Sequence, residues 1–235
     1  MCCAYSGVST VMISDPAMSA GRNPDHGQVL GVIMAAGRST RFGPDDKRLA
    51  ELNGEPLLMQ LVRRLLPVFP PFRDQPRLSV VLRPEDVTLA ASLPAGCLPL
   101  FAADADAGLG SSIASAVARV AGEQTWQPVS SLAVFLGDMP LIRTATLGPL
   151  LREQNSERIV RPEYQGKAGH PVLFGRRFWP DLMRLQGEDG ARTVIQNYPG
   201  HLIRIATDDP GVITDIDTPQ QLAAVQQQPA PLSAQ

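Results

Sequence analysis

The chain has 235 residues, of which 44% are hydrophobic, and this is enough for one compact core of ordinary size and excludes a disordered chain. Its 21 Lys and Arg residues are balanced by 23 Asp and Glu residues, so the surface lacks the positive charge with which proteins hold nucleic acid. No apolar run approaches the roughly 20 residues that cross a bilayer, and the N-terminus lacks a secretory signal. We therefore expect a soluble, cytoplasmic protein that binds neither nucleic acid nor a membrane.

Short apolar runs recur along the chain between two polar ends. Residues 1–27 and 227–235 show no sustained hydrophobic period, and we predict that both are disordered tails. Most of the runs are unbroken rather than alternating, which is typical of strands that are covered on both faces. The predicted strands are 29–35, 78–82, 98–102, 132–136, 158–161, 171–174 and 202–205.

Helical patterns lie between these runs. They follow Pro56, span residues 113–120, follow a predicted N-cap at Thr144, and follow Thr218, which forms a capping-box pattern with Gln221. Because strands that alternate with helices pair in parallel through right-handed crossovers, we predict a single α/β domain over 28–226 with a Rossmann-like, doubly wound, mostly parallel sheet. The pattern leaves open whether the segment from 158 to 197 belongs to this sheet or forms a side hairpin.

The loop after the first strand is the richest candidate for a ligand site, because open α/β sheets bind ligands beyond the carboxyl ends of their strands. Small residues there let backbone N–H groups approach a polyphosphate, and basic residues match its charge. The loop is neither a Walker A sequence nor a dinucleotide fingerprint, and an ordinary connection is the alternative interpretation. The candidate nucleotide-binding residues of this segment are Ala35, Ala36, Gly37, Arg38, Ser39, Arg41 and Lys47.

The string from Ile33 to Gly43, followed by Lys47, resembles the signature of nucleotidyltransferases with a MobA-like NTP transferase domain. These proteins belong to a larger superfamily with the GT-A-like nucleotidyltransferase fold. The resemblance implies that the loop wraps a nucleoside triphosphate and that Lys47 contacts its phosphates. The spacer between Gly43 and Lys47 is one residue longer here than is usual in the family.

Four further segments extend the resemblance. Residues 108–112 resemble the family segment that lines the nucleoside pocket, which implies binding by Gly110, Ser111 and Ser112, although a serine-capped helix start would look the same. Asp138, directly after an apolar run, resembles the metal-binding aspartate of the family, and the alternative is a turn residue.

The segment 214–219 resembles the family motif that supplies a second metal ligand. Asp215 and Asp217 would point to the same side of an extended chain. We favour Asp217 because it directly precedes the predicted helix start at Thr218.

Residues 169–174 and 187–192 resemble acceptor-side segments of the molybdenum-cofactor cytidylyltransferase branch. The resemblance implies that His170 and Asp189 bind the acceptor. On local grounds alone, a structural hydrogen-bonding role is the more common one for a histidine such as His170.

Together these segments imply an enzyme that transfers a nucleotidyl group, CMP from CTP, to a phosphorylated pterin such as molybdopterin and releases pyrophosphate. Arg38, Lys47 and Asp138 are the predicted catalytic residues, and Asp138 and Asp217 would hold Mg²⁺. A molybdoenzyme or its chaperone would receive the product. The alternatives are guanylyl transfer to the same cofactor, nucleotidyl transfer to a sugar 1-phosphate or another phosphorylated metabolite, and a non-catalytic accessory protein that binds nucleotide or cofactor.

Overall fold

The computed structural model describes residues 28–43 and 45–227, so the predicted tails lie outside the described residues, apart from Gln227. No helix within these two ranges is long and apolar enough to cross a membrane. The strands are β1 (Gln28–Met34), β2 (Glu51–Leu52), β3 (Glu55–Pro56), β4 (Leu78–Leu82), β5 (Cys97–Phe101), β6 (Val129–Leu136), β7 (Ile159–Tyr164), β8 (Lys167–Ala168), β9 (Val172–Gly175) and β10 (Leu202–Ala206). The α-helices are α1 (Leu57–Leu65), α2 (Val87–Ala91), α3 (Leu109–Gly122), α4 (Thr144–Glu153), α5 (Trp179–Leu182), α6 (Arg192–Asn197) and α7 (Pro219–Gln226).

The central sheet has the strand order β10-β7-β9-β6-β1-β4-β5, with the short β8 paired to β7. β1 pairs in parallel with β4 and β6, β4 with β5, and β7 with β10. β9 runs antiparallel to both of its neighbours, β6 and β7. The segment that the sequence left open therefore joins the main sheet, and β8 forms a small hairpin beside it.

Two apolar layers cover the two faces of the sheet. Alternate residues of β1 face opposite layers, since Ile33 packs with residues of α1, α2 and α4, whereas Val32 packs with residues of α3, α5 and α6. This arrangement confirms the predicted doubly wound, mostly parallel α/β fold.

One predicted helix cap is wrong and one is confirmed. Thr144 is the first residue of α4 rather than its cap, and the preceding Arg143 makes no capping bond with its side chain. The buried carboxylate of Asp209, distant in sequence, instead accepts hydrogen bonds from the Arg143 N–H (2.8 Å) and the Thr146 hydroxyl (2.8 Å). At α7 the predicted capping box of Thr218 is present.

Candidate active site

The first of two adjacent cavities lies where the carboxyl ends of β1 and β6 meet, and its volume is about 440 Å³. This is the place where open α/β sheets bind ligands. The sequence-predicted residues that line it are Ala35, Ala36, Gly37, Arg38, Ser39, Arg41, Lys47, Ser112, Asp138 and Asp217. The fold therefore brings four separately predicted segments to one cavity.

Two arginines fix the loop that follows β1. Arg48 donates from Nη1 to the carbonyl of Ala35 (2.9 Å). Arg83 donates from Nε to the carbonyl of Ala36 (2.9 Å) and from Nη2 to that of Gly37 (2.7 Å). In a planar trans peptide the N–H points opposite to the carbonyl. The N–H groups of these three peptides therefore point away from the arginines. Backbone N–H groups in such loops commonly donate hydrogen bonds to phosphate oxygens.

Arg48 is buried between two carboxylates. Its Nη2 donates to Asp46 (2.6 Å) and to Asp86 (2.7 Å). Burial alone raises the pKa of both carboxyls, but the hydrogen bonds from Arg48 outweigh it and hold each pKa below its usual range. The loop is thus anchored to a buried ion-pair cluster rather than to an exposed surface side chain.

Lys47 joins the two predicted metal ligands. Its Nζ lies 2.8 Å from Oδ2 of Asp138 and 2.8 Å from Oδ1 of Asp217, and the other oxygen of Asp217 accepts from Arg41 (2.8 Å). Burial lowers the pKa of Lys47, but the charges and hydrogen bonds of the two aspartates outweigh this and raise it. Lys47 is therefore charged at neutral pH. It also reaches the cavity, although the spacer before it is longer than usual.

These two carboxylates suit a divalent metal ion. Both contact the same ammonium nitrogen, so their oxygens lie within reach of one small cation, and Oδ1 of Asp138 is buried without a hydrogen-bond partner among the described residues. Within the described ranges no group of three or more His, Cys, Asp or Glu residues forms a complete protein cage. Mg²⁺ ordinarily takes one or two carboxylates and completes its shell with substrate phosphates and water, so the residues present fit it. Asp215 is exposed, and neither cavity includes it in its described lining.

Arg38 is held at the cavity by Asp106. Its guanidinium makes a bidentate pair in which Nε and Nη2 each lie 2.5 Å from a carboxylate oxygen. Both side chains are more than half exposed. To contact a triphosphate, Arg38 therefore has to break one or both of its hydrogen bonds to Asp106 or donate from Nη1.

Two of the predicted nucleotide-binding residues lie beside the cavity rather than in its lining. The N–H of Gly110 donates to the carbonyl of Gly187 (2.8 Å), and a Cβ atom at Gly110 would lie 2.8 Å from the carbonyl oxygen of Gln186. Ser111 donates to the carbonyl of Ala107 (3.3 Å). The glycine thus lets the segment 186–190 pack closely against the first turn of α3.

The second cavity, of about 570 Å³, adjoins the first and shares Leu109 and Leu136 with it. Both predicted acceptor-binding residues, His170 and Asp189, line it. The neighbouring Glu188 lines the first cavity, so the segment 186–190 separates the two. A ligand in one cavity is therefore next to a ligand in the other.

His170 follows the β7–β8 hairpin and precedes β9. Burial lowers the pKa of its imidazole, and the hydrogen bond to the backbone of Val134 and the charge of Asp138 oppose this only in part. Its Nδ1 is enclosed and has no partner among the described residues. The side chain is thus a neutral imidazole with one nitrogen that lacks a hydrogen bond. A purely structural buried histidine would normally have both ring nitrogens hydrogen-bonded.

The sequence matches the MobA-like NTP transferase domain family over residues 31–202, well over half of the chain. This chain belongs to that family. It is therefore a nucleotidyltransferase of the MobA-like group, and the first cavity lies where the family signature after β1 meets Asp138.

Named relatives agree with this assignment. The chain is 32% identical over 150 residues to a probable molybdenum cofactor guanylyltransferase of Natronomonas pharaonis, covering 62% of this chain and 68% of that one. It is 27% identical to a homologue of the Mycobacterium tuberculosis Rv0371c protein from Mycobacterium sp. strain JC1, with a TM-score of 0.68 over 84% of this chain and 94% of the other. Rv0371c of M. tuberculosis H37Rv itself, solved in complex with manganese, shows the same fold at 24% identity, with a TM-score of 0.66 over 86% of this chain and 100% of that one.

The sequence interpretation missed the residues that support the loop after β1. Arg48 follows the predicted Lys47 directly and could have been suspected from that position. Arg83 and Asp86 follow β4, far from the loop in sequence, and carry no local signal. Asp106 was missed because only the folded chain brings the turn before α3 opposite Arg38.

Proposed function

We propose that this protein transfers CMP from CTP to the phosphate of a phosphorylated pterin, molybdopterin or its molybdenum-bound form, and releases pyrophosphate. The observation that carries the proposal is a pair of carboxylates, Asp138 after β6 and Asp217 before α7, that share Lys47 beside a loop suited to phosphate. The second cavity gives the acceptor a place beside the donor.

In this reaction an oxygen of the acceptor phosphate attacks the α-phosphorus of the nucleotide. The new P–O bond forms as the bond to the β-phosphate oxygen breaks, and the bonding electrons leave with pyrophosphate. A phosphate monoester is already largely ionised at pH 7, since its second pKa is about 6, so the attack needs no general base. The protein has to hold two anions in line and neutralise their repulsion.

The described residues suit that task. The N–H groups that follow Ala35, Ala36 and Gly37 would donate to phosphate oxygens, and Lys47 and Arg38 would neutralise the charge that develops on pyrophosphate. Asp138 and Asp217 would hold Mg²⁺, which would supply positive charge next to the phosphates when bound.

The second cavity would bind the acceptor. The enclosed Nδ1 of the neutral His170 is available for a hydrogen bond, and the exposed carboxylate of Asp189 would accept from the amino and ring N–H groups of a pterin. A molybdoenzyme or its chaperone would receive the nucleotide-bearing cofactor.

The choice of CTP is supported by the resemblance of the segments 169–174 and 187–192 to the cytidylyltransferase branch. GTP is the second candidate donor, and the relative from Natronomonas pharaonis, named as a guanylyltransferase, favours it. The two donors use the same phosphate chemistry and differ only in the base.

The test is pyrophosphate release from each of the four NTPs, with and without Mg²⁺, in the presence of molybdopterin, its dephosphorylated form or a sugar 1-phosphate. We expect release only with a divalent cation and the phosphorylated pterin, and fastest with CTP. Faster release from GTP would assign guanylyl transfer, and turnover only with a sugar phosphate would change the acceptor. No turnover with any pair would refute the enzymatic proposal.

A further inference from the structure

One row of side chains crosses the floor of the second cavity from four adjacent strands. Val134 of β6 is the register partner of Val172 of β9. Val160 pairs with Leu173, which places the next residue of β7, Arg161, beside Val172, and Arg161 is in turn the register partner of Arg204 on β10. All four residues of this row line the cavity, so its floor changes from apolar at β6 to cationic at β10.

The cationic end of this row has unused binding capacity. Nε of Arg161 is buried and has no hydrogen-bond partner in the part of the chain that the structure describes. Burial and the charge of Arg204 both lower the pKa of Arg161, and Glu163 offsets them only in part. Glu163 lies 3.7 Å from Nε of Arg204. Two neighbouring guanidiniums with an unsatisfied buried donor are an arrangement that an anion would stabilise.

Much of the cavity near the valines is apolar. Ile113 of α3, Phe174 of β9 and Ile195 of α6 line it together with the two valines of the row. Such a surface suits the face of a flat ring system, whereas the arginines suit a negative charge at one end of it.

We propose that Arg161 and Arg204 form an anion subsite for a second negatively charged group of the acceptor, separate from the phosphate that attacks the nucleotide. This inference rests on the proposed function. The attacking phosphate has to lie near Asp138, at the end of β6. β7 is two strands away from β6, which separates their backbones by about 10 Å at the usual strand spacing. Arg161 is also level with Val134, four residues before Asp138, so the arginine pair is displaced from the attacking phosphate both across the sheet and along it. The acceptor is thus a flat molecule with anionic groups at two separate positions.

The test uses Arg161→Gln and Arg204→Gln, with Arg63→Gln as the control. Arg63 is an exposed arginine on α1, which packs on the opposite face of the sheet, and it pairs with Glu55 at 3.0 Å. In CTP-dependent turnover we expect each cavity variant to raise the KM for the phosphorylated pterin about tenfold or more and to leave the KM for CTP within about twofold. Because the side chain of Arg204 is 53% exposed, its variant should fold even if the Arg161 variant does not.

A binding measurement keeps this inference separate from the proposed reaction. Fluorescence titration compares a carboxypterin, which carries an anionic side chain, with an uncharged methylpterin. We expect the protein to bind the carboxypterin more tightly, and both cavity variants to lose that difference while the control keeps it. If both cavity variants lose the preference for carboxypterin and the native protein shows no turnover, the subsite is supported and the proposed reaction is refuted. If both variants keep the preference and turn over normally, the subsite alone is refuted.

Discussion

At the end of β6, the carboxylate of Asp138 offers one oxygen to Lys47 and keeps the other buried without a partner among the described residues. Asp138→Asn preserves the shape of the side chain and removes the charge that would hold Mg²⁺. We expect turnover to fall by about 10²–10³, because removal of one preorganised electrostatic contact typically has this effect on the rate. The variant should remain folded, because Lys47 keeps its ion pair with Asp217. Steady-state kinetics at saturating Mg²⁺ and thermal melting measure the two effects.

The matched control for that prediction is Asp215→Asn. Asp215 is an exposed aspartate outside the described lining of both cavities, two residues from Asp217, and its variant should keep normal turnover. Near-normal turnover of a well-folded Asp138→Asn protein would contradict the metal site. Low turnover of Asp215→Asn with normal turnover of Asp217→Asn would move the second ligand to Asp215.

The residues that the sequence identified share one property: each directly follows an apolar run or belongs to a motif. Lys47, Asp138 and Asp217 could be predicted in this way, and the structure brings them together. Arg161 lies inside a strand, where nothing local distinguishes a cavity-lining arginine from an exposed one. Its partnership with Arg204 depends on the register of two strands that are distant in sequence.

At the scale of elements, the loop after β1 depends on the cluster of Arg48 with Asp46 and Asp86. Asp86→Asn should lower the free energy of unfolding at pH 7 by up to about 3 kcal/mol, since it removes one carboxylate from a buried ion pair. The pKa of Asp86 is lowered in the folded protein, so its ionisation stabilises the fold above the unfolded pKa of about 3.9 and this contribution is lost as the pH falls through the folded value.

The difference in stability between the native protein and Asp86→Asn should therefore be largest near neutral pH and shrink below about pH 3.9. Urea unfolding at a series of pH values measures it. Glu85→Gln is the control, because Glu85 is the exposed neighbour and lies 3.9 Å from Arg83. A difference that stays constant down to pH 3 would show that the carboxylate of Asp86 does not carry the effect.

The start of α3 depends on the close approach of the segment 186–190. Gly110→Ala would put a Cβ atom 2.8 Å from the carbonyl oxygen of Gln186, so we expect a loss of about 1–3 kcal/mol in unfolding free energy and a raised KM for both substrates. Gly122→Ala, at the other end of the same helix, has no atom within 4 Å of the new methyl group and should be neutral or slightly stabilising. Equal effects of the two substitutions on stability would contradict the packing argument.

Element types could be predicted from the sequence more fully than their directions and ends. The four-residue strand β9 is an unbroken apolar run, and such a run looks the same whether the strand is parallel or antiparallel. The start of α4 is held by Asp209, so the local signal at Thr144 was misleading. The capping box of α7 is complete within four residues, which is why it could be found.

At the scale of the whole molecule, the antiparallel β9 places the second cavity beside the first. It extends the sheet from β6 towards β7 and β10, so that the floor formed by these strands adjoins the carboxyl end of β6. This adjacency follows from strand order, which the sequence pattern did not predict beyond the doubly wound class. Two adjacent cavities on one sheet would suit the proposed in-line reaction between two bound anions.

Folding and metal binding should be coupled through Lys47, because its ammonium holds the two carboxylates that a metal ion would need. In Lys47→Met the carboxylates of Asp138 and Asp217 face each other without that charge, so we expect a lower melting temperature in EDTA and loss of turnover. Mg²⁺ should then raise the melting temperature of the variant more than that of the native protein, by about 2–4 °C for each kcal/mol of additional binding free energy. Lys167→Met, at an exposed lysine of the β8 hairpin, should respond to Mg²⁺ as the native protein does. An identical Mg²⁺ response in Lys47→Met and the native protein would show that the ammonium and the metal ion do not compete for one site.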